Sequence, residues 1–361
     1  MVSKKQIERR IRELRSILSQ KGMDAALITK RENYIYMSNF TGTFANLLIT
    51  HDKAILVTDF RYTEQAKEQA QLYDVVQYQG NLNVTLNDLL TSNNVKVLGF
   101  EDDYLTFKAY DDLSKKLNVD KLVPLEGAIE LLRLIKDSAE IELIKEAVRV
   151  ADEAFSHVLK FIKPGVTESE IAAEIEYYLK KNGARGPSFD TIVASGWRAS
   201  LPHGVASDKV VELGDAVTMD FGAIYNEYCS DMTRTVFVGK PKEELKKIYN
   251  IVLEAQQAGI FGAVSGLTGR EIDKIARDII SDAGYGENFG HSLGHGVGIE
   301  IHEDPRLSQQ GTVKMRNGMV VTIEPGIYVS GLGGVRIEDM IVINDGKPMV
   351  LTSSKKDMII L

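Results

Sequence analysis

Cysteine and long apolar runs are the scarcest features of this 361-residue sequence, which contains one cysteine and one tryptophan. A single cysteine excludes an intrachain disulfide framework and any zinc site built from several thiolates. No apolar stretch reaches the roughly 20 residues that a membrane-spanning helix needs. The amino terminus leads into an amphipathic helix rather than the apolar core of a signal peptide, so we expect a cytoplasmic protein.

An excess of positive charge is also missing, because the net charge is -8 at pH 7. This sign makes nucleic acids and anionic membranes unsuitable partners. The hydrophobic content of 44% and the charged content of 26% are typical of a globular protein. The length is sufficient for two domains, each with a hydrophobic core of its own.

The first 125 residues alternate between helical and strand patterns, which predicts a small α/β domain. Its first helix carries Ile7, Ile11, Leu14 and Leu18 at helical spacing and ends near Gly22. This segment contains neither a phosphate-binding loop nor a dinucleotide-binding motif. We therefore assign residues 1–125 to an N-terminal domain without legible chemistry and residues 126–361 to a second domain.

The second domain repeats one pattern. A long helix begins near Asp137 and is followed by a helix that the capping box at 167–170 opens. The same order returns as a long helix at 243–264 and a helix opened by the segment 266–271. Each helix pair is followed by a predicted β-hairpin. The sequence therefore predicts that one structural unit occurs twice.

The first hairpin spans residues 214–235 and places two acidic residues on its strands. With a tight turn at Tyr225 and Asn226, strict pairing puts Asp220 opposite Asp231. Opposed residues on such a pair have Cβ atoms about 4.5–5.5 Å apart, so two carboxylates there repel each other. A metal ion between them is the simplest explanation for this arrangement.

The second hairpin, from residue 318 onwards, echoes the first. A turn at 331–334 would place Glu324 opposite Glu338, unless a bulge near Pro325 shifts the register. Packing the two copies together would bring four carboxylates to one curved sheet. Such a cluster is tenable inside a folded protein only when cations neutralise it.

Four of the six histidines flank these hairpins, namely His203, His291, His295 and His302. His291 and His295 have the spacing of a zinc-binding pair on a helix. However, the glycines around them disfavour a helix. We therefore expect one of these two histidines to bind metal and the other to lie nearby.

Short motifs spread over the second domain form a specific set: Pro202-His203-Gly204, Met219–Gly222, Ser230–Arg234, His291–Gly298, His302-Glu303, Ile323–Gly326 and Val335–Glu338. With this set the chain resembles the pita-bread metallopeptidases, and among them the Xaa-Pro peptidases prolidase and aminopeptidase P. The resemblance implies an α+β protein. Its C-terminal part would be a catalytic pita-bread (creatinase/aminopeptidase) domain with an internal pseudo-twofold repeat, preceded by a smaller creatinase-like α/β domain.

The resemblance also implies a site for two divalent metal ions. Asp231 and Glu338 would bridge the two ions, Asp220 would complete the coordination of one, and His295 and Glu324 that of the other. Oxygen ligands with a single imidazole favour Mn, with Co, Fe or Zn as alternatives, over metals selected by thiolates.

The activity implied by the resemblance is hydrolysis of the peptide bond before proline by a hydroxide that the metal pair activates. Glu324 would carry a proton to the leaving nitrogen. His302 and His203 would bind substrate and stabilise the oxyanion, and His291 would line the pocket. Arg336 would orient the metal-binding carboxylates.

Two questions about function stay open at the level of sequence. The favoured interpretation is a dipeptidase of the prolidase type, and the alternative is an aminopeptidase P that acts on longer Xaa-Pro peptides. A catalytically inactive binding module on the same fold belongs to a different class, and the complete ligand set counts against it. The resemblance further implies a homodimer whose partner is a small peptide with proline at its second position.

Overall fold

The computed structural model describes residues 2–361, and the chain divides between Arg133 and Leu134 into two compact units. The predicted boundary after residue 125 falls before this division. The intervening segment is tied to the first unit, because Tyr36 Oη donates to the Leu132 carbonyl at 3.0 Å and Arg133 Nη1 donates to Asn33 Oδ1 at 2.8 Å.

The first unit contains a mixed six-stranded sheet within residues 2–133, with strand order β4-β3-β2-β1-β5-β6. Strands β1, β2 and β3 pair antiparallel, whereas β4, β5 and β6 join the sheet in parallel. Its elements are α1 (Lys4–Lys21), β1 (Ala25–Ile28), α2 (Arg31–Ser38), β2 (Asn46–Thr50), β3 (Ala54–Thr58), α3 (Thr63–Gln69), β4 (Asp74–Gln77), α4 (Leu82–Ser92), β5 (Val97–Phe100), α5 (Phe107–Lys116), β6 (Lys121–Pro124) and α6 (Ala128–Arg133).

The predicted α/β pattern of this unit is confirmed, and it includes one helix, α2, that sequence periodicity does not identify. Helix α1 ends where Gly22 adopts a left-handed conformation (φ 66°), as its sequence predicts. Helix α2 has no amphipathic period, because consecutive residues from Asn33 to Ser38 are all buried. A helix enclosed on every side lacks the apolar stripe by which sequence periodicity identifies helices.

The second unit contains two long helix pairs and the strands that follow each pair. Its elements are α7 (Ser138–Val158), α8 (Glu168–Lys181), β7 (Gly186–Pro187), β8 (Ile192–Ser195), a 3₁₀ helix (Gly196–Ser200), β9 (Ala216–Phe221), β10 (Ala223–Tyr225), β11 (Tyr228–Cys229), β12 (Met232–Phe237), α9 (Glu243–Gly262), α10 (Gly269–Asp282), a second 3₁₀ helix (Gly286–Asn288), β13 (Gly294–Gly296), β14 (Glu303–Leu307), β15 (Val320–Ile323), β16 (Gly326–Val329), β17 (Gly333–Arg336), β18 (Asp339–Val342) and β19 (Met349–Val350).

The predicted duplication is confirmed by matching backbone hydrogen bonds at the starts of α8 and α10. The amide of Glu168 donates to the Lys209 carbonyl at 3.0 Å, and the amide of Gly269 donates to the Val313 carbonyl at 3.2 Å. Both helices begin with a capping box of threonine and glutamate. Each copy therefore anchors the start of its second helix on the segment that leads to its own hairpin.

The predicted register of the first hairpin is wrong. The turn residues are Asn226 and Glu227, both at positive φ (46° and 71°), which is typical of the tight turns that join antiparallel strands. This displacement of the turn pairs Asp220 with Thr233 instead of Asp231. A register shift of two residues keeps the same side chains on the same face, so Asp220 and Asp231 become diagonal neighbours.

The predicted register of the second hairpin is confirmed for β16 and β17, where Gly326 pairs with Arg336. Glu324 and Glu338 lie just beyond these strands, between β15 and β16 and between β17 and β18. Asp231 likewise lies between β11 and β12. Three of the four acids therefore lie between two consecutive strands that pair with different partners. Their side chains do not follow the regular alternation of a paired strand.

The helices pack behind these strands and bury the apolar faces of both copies. Helices α9 and α10 cover one core cluster, and α7 and α8 cover another. The acidic residues of the hairpins are thus left on the sheet face opposite the helices.

Among residues 2–361, no helix combines the length and the apolar character that crossing a membrane requires.

Candidate metal centre

A cavity of about 640 Å³ in the second unit is lined by every site residue that the sequence predicts. The structure brings together residues that lie far apart in the sequence and on different strands and loops. They are Asp220, Asp231, His295, Glu324 and Glu338 among the expected metal ligands, and His203, His291, His302 and Arg336 among the expected catalytic residues.

Asp231, His295 and Glu338 form the centre of this cavity, since one potential ligand atom of each lies within 4.8 Å of the others. His295 Nε2 is 3.5 Å from Asp231 Oδ2 and 3.5 Å from Glu324 Oε1. An imidazole nitrogen and several carboxylate oxygens therefore converge on one point. This donor set suits a divalent cation with mixed oxygen and nitrogen ligands.

Strand β13 fixes the direction of the His295 ring. Nδ1 lies 3.0 Å from the Gly296 carbonyl oxygen, which only accepts hydrogen bonds, so Nδ1 carries the proton and Nε2 presents its lone pair. Burial lowers the pKa of His295 to about 4, which keeps the ring neutral. A Cβ atom at Gly294 would lie 2.0 Å from the Thr322 carbonyl oxygen, so this close backbone packing requires glycine.

Three acids of the cluster, Asp231, Glu324 and Glu338, have raised pKa values. Burial, followed by the charge of Glu338, raises the pKa of Asp231, and burial followed by Glu324 raises the pKa of Glu338. Burial also raises the pKa of Glu324 to about 8, against the opposing effect of Arg336. Buried carboxylates this close together stay charged only when a cation compensates them.

One oxygen of the cluster is left without a partner. Within residues 2–361, Asp220 Oδ1 is buried and accepts no hydrogen bond, whereas Oδ2 accepts one from Arg336 Nη2 at 2.6 Å. A buried carboxylate oxygen without a donor is costly unless a cation occupies the space before it. The residues present therefore fit a hard divalent cation.

Arg336 holds the outer side of the cluster. Besides Asp220, its guanidinium donates to Thr233 Oγ1 at 2.9 Å, to Tyr328 Oη at 2.7 Å and to the Pro202 carbonyl at 3.1 Å. Thr233 Oγ1 in turn donates to Glu338 Oε2 at 2.6 Å. One buried side chain thus orients carboxylates from both hairpins.

Arg336→Lys is expected to lower kcat/KM by about 10- to 100-fold, the usual effect of losing a residue that orients metal ligands. A lysine keeps the charge but cannot reproduce the planar fork that reaches several acceptors at once. Arg316→Lys serves as the control, because Arg316 is an exposed arginine of the same unit that does not line the cavity. Equal losses in the two variants, measured with a chromogenic peptide assay and elemental analysis, would contradict the orienting role.

The remaining histidines of the cavity differ in how deeply they are buried. The His302 ring centroid is 4.4 Å from that of His295, and His302 is exposed. His291 is buried deeper: Tyr328 Oη donates to its Nε2 at 2.9 Å, and its Nδ1 lies 2.8 Å from the Ser292 carbonyl oxygen. Burial lowers the pKa of His291 to about 4, so it acts as a neutral hydrogen-bond partner.

Several residues of the site were not predicted from the sequence. Phe189, Asp190 and Arg306 line the cavity, and the Pro202 carbonyl and the Tyr328 hydroxyl accept hydrogen bonds from Arg336. Tyr328 lies on β16 at a position whose pairing with Gly334 follows from the predicted hairpin register. In this register Tyr328 lies diagonally across from Arg336, which follows Gly334 by two residues on β17. This position is the sequence signal that could have identified Tyr328. Phe189 and Arg306 lie outside any motif, so only the tertiary structure assigns them to the cavity.

Comparison with known proteins agrees with this geometry. Residues 142–345 match the model of metallopeptidase family M24, and residues 10–135 match the creatinase/prolidase N-terminal domain. The chain is 49% identical to a Xaa-Pro dipeptidase structure from Bacillus anthracis, with a TM-score of 0.96 over 98% of this chain and 100% of that one.

Two further structures are similar over nearly the whole chain. The prolidase from Pyrococcus horikoshii OT3 is 42% identical, with a TM-score of 0.92 over 97% of this chain and 100% of its own. The X-Pro aminopeptidase from Thermotoga maritima MSB8 is 39% identical, with a TM-score of 0.92 over 97% of this chain and 99% of its own. These matches confirm the predicted pita-bread fold with a creatinase-like N-terminal domain. The chain therefore belongs to metallopeptidase family M24 and is a metallopeptidase.

Proposed function

We propose that the protein is a Xaa-Pro dipeptidase that uses two divalent cations. The observation that carries this proposal is the convergence of four carboxylates and one neutral imidazole in a single cavity. Two relatives named as Xaa-Pro dipeptidases, each 42% identical and covering 97% and 98% of this chain, support the same substrate class.

The proposed ligands are the five residues that converge there. Asp231 and Glu338 occupy the centre and are suited to bridging, whereas Asp220, with its unpartnered oxygen, would complete one side. His295 and Glu324 would complete the other side. When bound, two such cations would polarise the scissile carbonyl and would lower the pKa of a bound water molecule to near neutrality.

The residues of the chain itself would handle protons and orient the peptide. Glu324, a carboxylate of the cluster, would accept a proton and pass it to the departing proline nitrogen. His302 and His203 are exposed and line the cavity, and they would donate hydrogen bonds to the substrate carbonyl. His291 is held by Tyr328 and would shape the pocket wall rather than exchange protons.

The complete donor set also bears on the alternative of an inactive binding module. A protein that only bound peptides would have no need to keep several acids buried against their own repulsion. The proposal further includes manganese as the preferred metal, a homodimer and a cytoplasmic location. Elemental analysis and light scattering of the purified protein test the first two points.

Aminopeptidase P activity remains the second candidate because one observation favours it. A second cavity of about 660 Å³ shares His291, Ser292 and Arg306 with the first. This adjoining space could accommodate residues that follow the proline of a longer peptide. Arg306, exposed between the two cavities, could instead bind the terminal carboxylate of a dipeptide.

The two candidates differ in how they treat Leu-Pro and Leu-Pro-Pro. We expect the manganese-loaded protein to cleave Leu-Pro with a kcat/KM at least about tenfold above that for Leu-Pro-Pro, a difference of about 1.4 kcal/mol. Leu-Ala serves as the matched peptide without proline and should be a poor substrate. Rapid cleavage of the tripeptide alone would identify an aminopeptidase P, and the absence of metal-dependent turnover on all three peptides would favour the binding module.

A further inference from the structure

The segment 196–207, here called the His203 loop, brings His203 and the Pro202 carbonyl into the cavity. It begins after β8 with the first 3₁₀ helix and runs back toward the segment that anchors α8. Beyond that helix, its contacts include the hydrogen bond from the Gly204 amide to the Leu201 carbonyl at 3.0 Å, a β-bridge between Val205 and Ile192, and the bond that the Pro202 carbonyl accepts from Arg336 at 3.1 Å. The position of His203 also depends on how the two ends of the loop are held.

Both ends are held by one carboxylate, that of Glu168, which is 0% exposed. Its Oε1 accepts from the Ser195 amide at 2.6 Å and from the Ser195 hydroxyl at 2.9 Å. Its Oε2 accepts from the Ser207 amide at 3.2 Å and from the Ser207 hydroxyl at 2.6 Å. Each oxygen of a single buried side chain thus binds one end of the His203 loop.

The middle of the loop is joined to the same group. Arg198 forms an ion pair with Glu168 Oε2 through Nη1, and its Nη2 donates to the Val205 carbonyl at 3.0 Å. The Glu168 carboxylate therefore also fixes the Arg198 guanidinium, which connects the two sides of the loop. Because Val205 lines the cavity two residues after His203, this tie lies beside the cavity.

The second copy of the duplicated unit has a different residue at the same position. Glu168 corresponds to Gly269 at the first position of α10, where a Cβ atom would lie 2.0 Å from the Arg306 carbonyl oxygen. Arg306 also lines the cavity. In both copies the start of the second helix thus contacts a segment that lines the cavity, once through a carboxylate and once through direct backbone packing.

We propose that Glu168 is a positioning residue, which sets the place of His203 and of the Pro202 carbonyl for catalysis. The inference rests on the proposed function, since it assumes that His203 contacts the substrate. The role requires a carboxylate: both oxygens face backbone amide donors, so an amide nitrogen at either place would oppose a donor with a donor. A displacement of about 1 Å at a substrate-binding group can cost up to about 100-fold in rate.

The test compares Glu168→Gln with Glu170→Gln, a matched control two residues later on α8. Glu170 is exposed and accepts hydrogen bonds from Thr167, so its replacement disturbs the same helix start without touching the loop. We expect Glu168→Gln to lower kcat/KM for Leu-Pro by about tenfold or more with unchanged bound metal. Hydrogen exchange at the Ser195 and Ser207 amides should accelerate in this variant and not in the control.

A double-mutant cycle separates positioning from general destabilisation. If Glu168 acts through His203, adding Glu168→Gln to His203→Ala causes little further loss, because the group that it positions is already gone. Full additivity of the two losses, or a Glu168→Gln enzyme with wild-type kcat/KM, would overturn the inference. If Glu168→Gln does not fold, Ser207→Ala replaces it, with an expected loss of about threefold that is again not additive with His203→Ala.

The failure of this inference is distinct from that of the proposed function. An unmodified protein that cleaves no proline peptide with any divalent metal contradicts the proposed function, and the hydrogen-exchange result then decides the loop-holding role alone. Active wild-type protein with an unaffected Glu168→Gln variant contradicts only the role of Glu168.

Discussion

Replacing Asp231 with asparagine is expected to lower kcat/KM for Leu-Pro by at least about a thousandfold, equivalent to about 4 kcal/mol of transition-state stabilisation. Asp231 is 5% exposed and lies at the centre of the cluster with His295 and Glu338. Asparagine has the same shape but one neutral oxygen in place of a charged carboxylate. The loss of charge at the most central position should therefore remove bound metal together with activity.

The control for this change is Asp190→Asn, which removes a carboxylate from the wall of the same cavity. It should leave the metal content unchanged in elemental analysis, whereas Asp231→Asn should lose at least one ion per chain. Asp220→Asn and Glu338→Gln are expected to behave like Asp231→Asn. An Asp231→Asn protein that keeps its full metal content and wild-type turnover would refute the bridging role.

Removing the metal is expected to abolish activity and to lower the melting temperature by about 5–10 °C. The estimate follows from the roughly 2.7 kcal/mol that a ligand at 100 times its Kd contributes and from the response of a domain of this size, about 2–4 °C per kcal/mol. The physical cause is the cluster of Asp231, Glu324 and Glu338, whose raised pKa values report the cost of burying acids without compensation.

Differential scanning fluorimetry with and without a chelator measures this effect, and re-addition of Mn²⁺ should restore both stability and turnover. The Asp231→Asn variant is the matched control, because it should melt at the same temperature under both conditions. A wild-type melting temperature that does not respond to any divalent metal would show that the acidic cluster is stabilised without a cation.

Local features of the fold were predictable because they depend on residues that are close in the sequence. Helices α7, α8 and α10 begin where their capping residues predict, and α9 begins at Glu243 as predicted although its N-cap, Lys242, makes no side-chain cap. The register of the second hairpin was predictable for the same reason. The prediction for the first hairpin was wrong because Glu227 adopts a positive φ, a conformation that favours Gly, Asn and Asp, so that the turn lies one residue further along the chain.

The details of the site were less predictable, since they depend on contacts between distant segments. Arg336 and Asp220 are 116 positions apart in the sequence and meet at 2.6 Å. The sequence pattern indicated that a cation must balance the acids. It could not show that Arg336 takes one oxygen of Asp220 and leaves the other free, because that division depends on how β9 and β17 pack together.

By itself the sequence determined the chemical inventory: four acids and a histidine in a duplicated unit, with the helix starts and hairpins that carry them. These features follow from short-range propensities, capping and strand alternation, which act within a few residues. Only the tertiary structure decided which oxygens face the cavity and which are taken by Arg336. It also decided that Glu168 holds the His203 loop, because burial and hydrogen-bond partners arise only when segments remote in sequence pack against one another.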